Sequence, residues 1–189
     1  MCLSHGSRRS THLKNAVGLI NKDMEMTKKH ILSILVDNEP GVLSRIAGLF
    51  SGRGYNIESL CVAETHEPFV SRITMVTKGD TAILEQIKKQ VNKIINVIKV
   101  ADLTDQEFVE RELVLLKISA KPENRAEILR ITDIFRGQIV DVGQEHFTIN
   151  ITGDADKITA ILTLLKPFGI REIARTGSIA MFRENKSKS

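Results

Sequence analysis

The chain has 189 residues, which is enough for one medium-sized domain or two small ones. Hydrophobic residues make up 42% and charged residues 26%, as in an ordinary soluble globular protein. The formal net charge is only +4, and the chain has one Tyr and no Trp. A nucleic-acid-binding surface usually needs a dense basic stripe or several stacking aromatics, so we expect no nucleic-acid partner.

Residues 1–26 resemble nothing in the rest of the chain. Their longest apolar run, Ala16–Ile20, is too short for a secretory core or a membrane span, so we expect no membrane partner. The segment is basic and contains no acidic residue before Asp23. Three interpretations stay open: an organellar transit segment, a vector-derived leader, or a start codon placed too early. We expect this segment and residues 185–189 to be disordered.

The two cysteines, Cys2 and Cys61, are far apart and have no partners at metal-ligand spacing. Cys61 falls in an alternating, strand-like run, so we expect a small buried side chain and not a ligand or nucleophile. The structure should not depend on disulfides, which fits a reducing compartment and predicts a cytoplasmic protein. A plastid location stays open if residues 1–25 are a transit segment.

The junction between the first predicted strand and the first predicted helix is the most informative segment. Ile31–Val36 is an apolar run typical of a strand, and Val42–Phe50 carries apolar residues at helical spacing. The first N–H groups of such a helix are unpaired and coincide with the positive end of its dipole, which suits a carboxylate. Asn38 and Asn56 flank the helix with amides that can bond an ammonium group or a carboxylate. We therefore expect a binding site for a free amino acid.

The same residues have a second interpretation. Asp37 and Asn38 could simply cap the helix through their side chains, and Pro40 is typical of a first helical turn. From this segment alone, the choice between a helix cap and a ligand site stays open.

Four further elements complete the first half of the chain. Tyr55–Glu64 and Phe69–Thr77 alternate like two strands joined by a polar turn. Asp80 is placed to cap an amphipathic helix, and Ile94–Val100 predicts a fourth strand. The order is strand, helix, strand, strand, helix, strand, which is typical of a ferredoxin-like sandwich.

Alternation in the two middle strands predicts apolar groups on both faces of the sheet. One face should carry Leu60, Val62, Val70 and Val76, and the other Ile57, Cys61, Ile73 and Met75. The two helices can cover only one face, so the other needs a second sheet, a second subunit or the other half of the chain. We therefore expect self-association.

The same plan repeats after a charged link at residues 103–112. The predicted elements are a strand at Leu113–Ile118, a helix through Ile128 and Phe135, a hairpin of Gln138–Val142 and His146–Ile151, a helix after Asp154, and a strand at Ile170–Phe182. A duplicated unit explains this repetition better than chance. We predict an α+β protein with two tandem ferredoxin-like βαββαβ units, at residues 27–102 and 113–184.

The first unit resembles an ACT domain, the small-molecule regulatory module, and residues 27–184 as a whole resemble the acetolactate synthase (acetohydroxyacid synthase) small-subunit family. The motifs that carry this resemblance are DNEPGVLSRIAGLFSGRGYNIESL, SRITMV, VERELVLLKI, DIFRGQIVDV and EIARTGSIAM. They are long, ordered and evenly spread, so the match is specific.

The resemblance implies a non-catalytic regulatory subunit. Such a subunit binds the large catalytic subunit, which carries thiamine diphosphate, Mg²⁺ and FAD, and itself holds no cofactor. It raises the activity of that subunit and confers feedback inhibition by a branched-chain amino acid, typically valine. The effector binds where two ACT domains of a homodimer meet. Carried over by position, the effector-binding residues are Asn38, Gly41, Val42, Asn56, Ile57 and Leu35.

Other residues with chemical potential have simpler interpretations. His66-Glu67 and Glu145-His146 lie at predicted turns and lack further metal ligands. Glu110 and Glu112 are expected in a solvated or interface link, and Arg175-Thr176-Gly177 in a bulge or turn of the last strand. No nucleophile and base stand together. Two alternative functions stay open at this point: a free-standing amino-acid sensor acting on a transcription system, and a small ferredoxin-like enzyme.

Overall fold

The computed structural model describes residues 28–183, so the disorder expected for residues 1–26 and 185–189 lies outside the described residues. The strands are β1 (Lys28–Asp37), β2 (Ile57–Glu64), β3 (Val70–Gly79), β4 (Val97–Asp102), β5 (Phe108–Ser119), β6 (Gln138–Val142), β7 (His146–Gly153), β8 (Ile170–Arg175) and β9 (Ile179–Phe182). The helices are α1 (Val42–Ser51), α2 (Thr81–Val91), α3 (Arg125–Ile134) and α4 (Ala155–Leu165), with short 3₁₀ turns at Pro122–Asn124 and Lys166–Phe168.

The first domain is a four-stranded antiparallel sheet in the order β2-β3-β1-β4, with α1 and α2 on one face. Alternate residues of β1 and β3 point at the helices because side chains change face at every residue of a strand. Its buried core contains Leu32, Ile34, Val36, Val42, Ile46, Phe50, Ile73, Met75, Leu84, Ile87 and Val91. Asp80 caps α2 by accepting a hydrogen bond from the N–H of Ala82, as the sequence predicted.

The second domain repeats this arrangement with the sheet order β6-β7-β5-β8 and the helices α3 and α4. Its buried core is built from Val114, Leu116, Ile118, Ile128, Ile131, Phe147, Ile149, Ile151, Ile158, Ile161 and Leu165. The predicted α+β fold with two tandem ferredoxin-like units is therefore confirmed.

The predicted link at residues 103–112 is wrong in its second half. β5 begins at Phe108, so only Leu103–Glu107 connect the two domains. The predicted last strand divides into β8 and β9 at a turn where Gly177 has a φ of +81°. Phe108–Arg111 pair with β9 in antiparallel register, while the rest of β5 belongs to the second sheet. This two-stranded segment, Phe108–Arg111 with Ile179–Phe182, is called the ribbon below.

The predicted face of Ile57 is correct, but the predicted faces of the later residues of β2 are wrong. A β-bulge between Ile57 and Ser59 shifts the register against β3, so that Leu60 pairs with Met75 and packs toward the helices. Cys61 pairs with Thr74 and lies on the open face. One extra residue in a strand turns every later side chain to the opposite face.

The ribbon covers part of the open face of the first sheet. Ile31 and Val76 of that face are buried with Leu103 and Ala180, and Phe108 packs against them. The N–H of Ser178 also donates to the hydroxyl of Ser59 in β2, at 3.0 Å. Of the three partners expected for this face, the other half of the chain is thus found to pack on part of it. Self-association stays a prediction. None of the helices within residues 28–183 has the length and apolar character needed to cross a membrane.

Candidate functional site

The loop after β1 is held by neighbouring loops on both sides. The N–H of Asn38 donates to the carbonyl of Phe69 at 2.6 Å, and the N–H of Asp37 donates to the carbonyl of Asn96 at 2.9 Å. Phe69 lies at the β2–β3 hairpin tip with a φ of +66°, a conformation that bulky residues rarely adopt. These hydrogen bonds therefore fix the position of the loop from Asp37 to Gly41.

The start of α1 has no side-chain cap. Gly41 occupies the N-cap position with a φ of +85°, and no side chain accepts a hydrogen bond there. Among the hydrogen bonds of the described residues, none has an acceptor for the N–H groups of Leu43 or Ser44. The interpretation of Asp37 and Asn38 as a helix cap is therefore wrong. The exposed N–H groups are free to bind an anion.

The side chain of Asn38 bonds across the sheet. Its amide nitrogen donates to Glu64, the last residue of β2, which leaves the Asn38 side-chain oxygen available to a donor. On the other side, the buried amide of Asn96 donates to Glu39 at 2.8 Å and accepts from Arg45 at 3.1 Å. Sequence reasoning missed Asn96, although a lone amide within the apolar run at residues 94–100 is a sign of such a role.

Asn56 and Ile57 lie at the opposite end of the sheet from Asn38. β3 is antiparallel to both β1 and β2, so β1 and β2 run in the same direction. Asn38 follows the end of β1, whereas Asn56 precedes the start of β2, and the length of β2 separates them by roughly 20 Å. Asn56 is exposed, and Ile57 packs partly against the first core. Within one chain, Asn56 and Ile57 are therefore far from Asn38 and Gly41.

Val42 and Leu35 do not line one pocket either. Val42 is only 2% exposed and belongs to the core between the helices and the sheet. Leu35 pairs with Arg72 on β3 and with Lys99 on β4, and it points to the open face. The sheet separates the two side chains, because a strand residue next to an inward-facing one faces outward.

The groups whose pKa values shift lie outside this loop. Burial alone would raise the pKa of Asp102, but hydrogen bonds from Thr104 and the ammonium of Lys88 hold it below its usual value. Burial and the nearby Asp80 raise the pKa of Tyr55. Hydrogen bonds to Glu112 raise the pKa of Arg175. Since each of these groups has a structural partner, none indicates a catalytic acid or base.

The remaining sequence candidates have structural roles. Glu112 is buried and forms a bidentate pair with Arg175 at 2.6 and 2.7 Å. Glu110 accepts from the hydroxyl of Ser178 at 2.7 Å and lies 3.6 Å from Lys29 of the first domain, so this link is indeed an interface. Within the part of the chain that the structure describes, no three His, Cys, Asp or Glu residues cluster as metal ligands.

Comparisons with known proteins agree with the resemblance seen in the motifs. Residues 32–99 match the family model of the AHAS small subunit-like ACT domain, and residues 111–184 match that of the small subunit of acetolactate synthase. The acetolactate synthase small subunit of Aquifex aeolicus is 55% identical over 159 residues, which cover 83% of this chain and 82% of that protein.

A probable acetolactate synthase small subunit of Archaeoglobus fulgidus is 51% identical over 158 residues, which cover 84% of this chain and 99% of the relative. The crystal structure of the acetolactate synthase small subunit from Thermotoga maritima is 42% identical, with a TM-score of 0.76. The match covers 84% of this chain and 99% of that one. This chain therefore belongs to the acetolactate synthase small-subunit family.

Proposed function

We propose that the chain activates the large catalytic subunit of acetolactate synthase and makes it sensitive to a branched-chain amino acid, with valine as the first candidate. Membership of the small-subunit family makes the chain a non-catalytic subunit with a large-subunit partner. Thiamine diphosphate, Mg²⁺ and FAD are assigned in this proposal to the large subunit. The cytoplasmic location also stays a proposal, and residues 1–26, which bear on it, lie outside the described residues.

The position of β2 supports an effector site made by two copies of the chain. β2 is an edge strand, so its outer side is free to pair with another strand. In an antiparallel pair of two β2 strands, the start of one lies beside the end of the other. Asn56 and Ile57 of one copy would then reach the sheet end that carries Asn38 and Gly41 of the other. The observation that carries this proposal is the distance, within one chain, between Asn38 and Gly41 on one side and Asn56 and Ile57 on the other.

The chemistry at such a composite site matches an aliphatic amino acid. The free N–H groups of Leu43 and Ser44 suit the carboxylate. The side-chain oxygen of Asn38, which is left free when its nitrogen bonds to Glu64, suits the ammonium group. Asn56 supplies a second amide, and Ile57 supplies an apolar wall.

A mixed dimer tests this composite site. Asn38→Ala and Asn56→Ala should each weaken valine binding about tenfold in their own homodimers, because each loses a hydrogen bond to a charged group at both sites. A dimer of one Asn38→Ala chain with one Asn56→Ala chain keeps one intact site and has one site without both amides. Calorimetry should therefore find one valine per mixed dimer with the affinity of the unmodified protein.

The control is Asn92→Ala, which removes an exposed amide at the end of α2 and should leave valine binding unchanged. A mixed dimer that binds valine as weakly as the two parent variants would refute a site shared between copies.

In the holoenzyme, the unmodified chain should stimulate the large subunit, and valine should reverse the stimulation. Failure of both effects would refute the proposed function itself. A free-standing sensor of transcription has no observation in its favour.

A further inference from the structure

A cleft of about 440 Å³ lies between the open face of the first sheet and the ribbon. It is lined by Cys61, Ala63, Glu64, Thr65, His66, Arg72, Thr74, Val109, Arg111, Ile179, Ala180 and Met181. One wall is formed by the outward residues of β2 and β3, and the other by one face of the ribbon. Its volume falls within the range of small-molecule sites, which often lie between domains.

Two guanidinium groups in this cleft lack a carboxylate partner. Arg72 is half-buried in β3 and donates to the hydroxyl of Ser33 at 3.1 Å. Arg111 donates to the backbone carbonyl of Glu110 at 2.6 Å. Neither forms an ion pair with any residue between 28 and 183, whereas Arg175, which lines a different crevice, is paired with Glu112. Arg72 is therefore a half-buried cation without a counter-charge, which favours an anionic ligand, and the exposed Arg111 adds a second positive group to the cleft.

The rest of the cleft is apolar and carries exposed aliphatic groups. Val109, Ile179 and Met181 are 36%, 54% and 57% exposed, and Ala63 faces them from β2. A ligand that fits must therefore combine an anionic head with a short aliphatic body. Inorganic anions satisfy only the first requirement.

We propose that this cleft binds a short-chain aliphatic 2-oxo acid. Such a ligand has a carboxylate and an adjacent carbonyl oxygen, which together match two guanidinium groups and the hydroxyl of Thr74 as donors. An amino acid with the same body would place an ammonium group beside two guanidinium groups. Among the described residues that line the cleft, Glu64 is the one carboxylate; it accepts a hydrogen bond from Asn38 and faces two guanidinium groups, so the positive charges exceed the negative one.

Glu64 also connects the cleft to the loop after β1. It lines the cleft and accepts a hydrogen bond from Asn38, one of the two amides of the proposed effector site. This part of the inference rests on the proposed function: occupancy of the cleft changes the affinity for valine, and valine changes the affinity for the 2-oxo acid by the same factor.

Calorimetry on the full chain with 3-methyl-2-oxobutanoate tests the site. Arg72→Gln and Arg111→Gln should each weaken binding about tenfold or more, because each removes a charge-assisted hydrogen bond. Ala63→Leu should block the cleft without changing any charge. Arg130→Gln is the matched control, since Arg130 is exposed on α3 and pairs with Glu127, away from the cleft. The 3-methylbutanoate ion, which lacks the oxo group, should bind more weakly.

Two outcomes would overturn the inference: no saturable binding, or equal binding of inorganic phosphate, which would make the cleft an unselective anion site. Asn56→Ala separates this inference from the proposed function, because Asn56 precedes β2, at the opposite end of that strand from Glu64 and the cleft. If that variant loses valine and the 2-oxo acid together, both ligands share the effector site and the cleft assignment fails while the proposed function stands. If valine never binds but the 2-oxo acid still requires Arg72, the proposed function fails and the cleft assignment stands.

Discussion

Gly41 determines how the backbone enters α1. Its φ of +85° lies in the left-handed region, which residues with a Cβ adopt only with strain. A Cβ built at this position meets no atom within 4 Å, so nothing but backbone conformation opposes a side chain there. The turn at Gly41 also leaves the first N–H groups of α1 open, which is the property that a carboxylate site needs.

Gly41→Ala should lower the free energy of unfolding by about 1–2 kcal/mol, because alanine is strained in the left-handed region. Gly48→Ala is the matched control: it lies inside α1, and its added Cβ also meets open space. That substitution should raise stability by about 0.5–1 kcal/mol. Urea denaturation of both variants gives the comparison, and equal stability of the two would contradict the left-handed turn.

The residues of the site were only partly predictable. The sequence placed Asn38 and Gly41 in a loop before a helix, because strand and helix periodicities meet there. It could not show that Asn96, more than fifty residues later, fixes this loop through Glu39 and the backbone of Asp37. Such contacts depend on which strands become neighbours, and local periodicity carries no information about that.

At the scale of elements, helices were easier to predict than strand faces. The buried residues of α1 are Val42, Ile46 and Phe50, at the helical spacing that the sequence shows. In β2 the bulge at Ile57–Ser59 reversed the expected faces, so that Cys61 faces the cleft and not the core. No Gly or Pro marks this bulge in the sequence, and a single inserted residue is enough to invert the pattern.

The end of β4 is tied to α2 by an ion pair. Lys88 lies 3.0 Å from Asp102, and both side chains are more than three-quarters buried. The hydroxyl and the N–H of Thr104 also donate to Asp102. These hydrogen bonds and the Lys88 ammonium lower the pKa of Asp102 in the folded protein against the opposing effect of burial.

Asp102→Asn should therefore destabilise the protein by about 1–3 kcal/mol at neutral pH. A carboxyl group with a depressed folded-state pKa contributes stability above its unfolded pKa of about 3.9, and this contribution is lost as the pH falls below that value. The difference between the variant and the unmodified protein should thus shrink toward pH 3 in denaturation experiments.

Glu85→Gln is the control, because Glu85 is half-exposed in its pair with Lys88 and should change stability by less than about 1 kcal/mol. A pH-independent difference would rule out the charge as the cause.

At the scale of the whole molecule, the ribbon joins the two domains in a way that the sequence did not reveal. Glu110 and Arg111 are charged, so the first part of β5 resembled a link in the sequence. Its strand partner β9 follows about seventy residues later, and only that distant pairing makes the segment a strand. Because the ribbon forms one wall of the cleft, the least predictable element of the fold also creates the proposed second ligand site.

The turn between β8 and β9 packs directly on β2 and provides a test of the domain arrangement. A Cβ at Gly177 would lie 2.7 Å from the hydroxyl oxygen of Ser59 and 3.3 Å from the carbonyl oxygen of Leu60. Gly177→Ala should therefore push the turn away from β2 and break the hydrogen bond between Ser178 and Ser59. We expect faster amide hydrogen exchange in β9 and in the second half of β2, with the two domain cores still protected.

Gly169→Ala separates this clash from backbone strain. Gly169 also has a positive φ, of +92°, but its added Cβ would meet only Ser119, at an ordinary contact distance of 3.7 Å. Both variants should lose stability through strain, whereas only Gly177→Ala should loosen β2 and β9. Adding Ser59→Ala to Gly177→Ala removes the closest clashing atom and should restore part of the protection in β2. If the two glycine variants show the same exchange pattern, the turn does not rest on β2 and the domains are arranged differently.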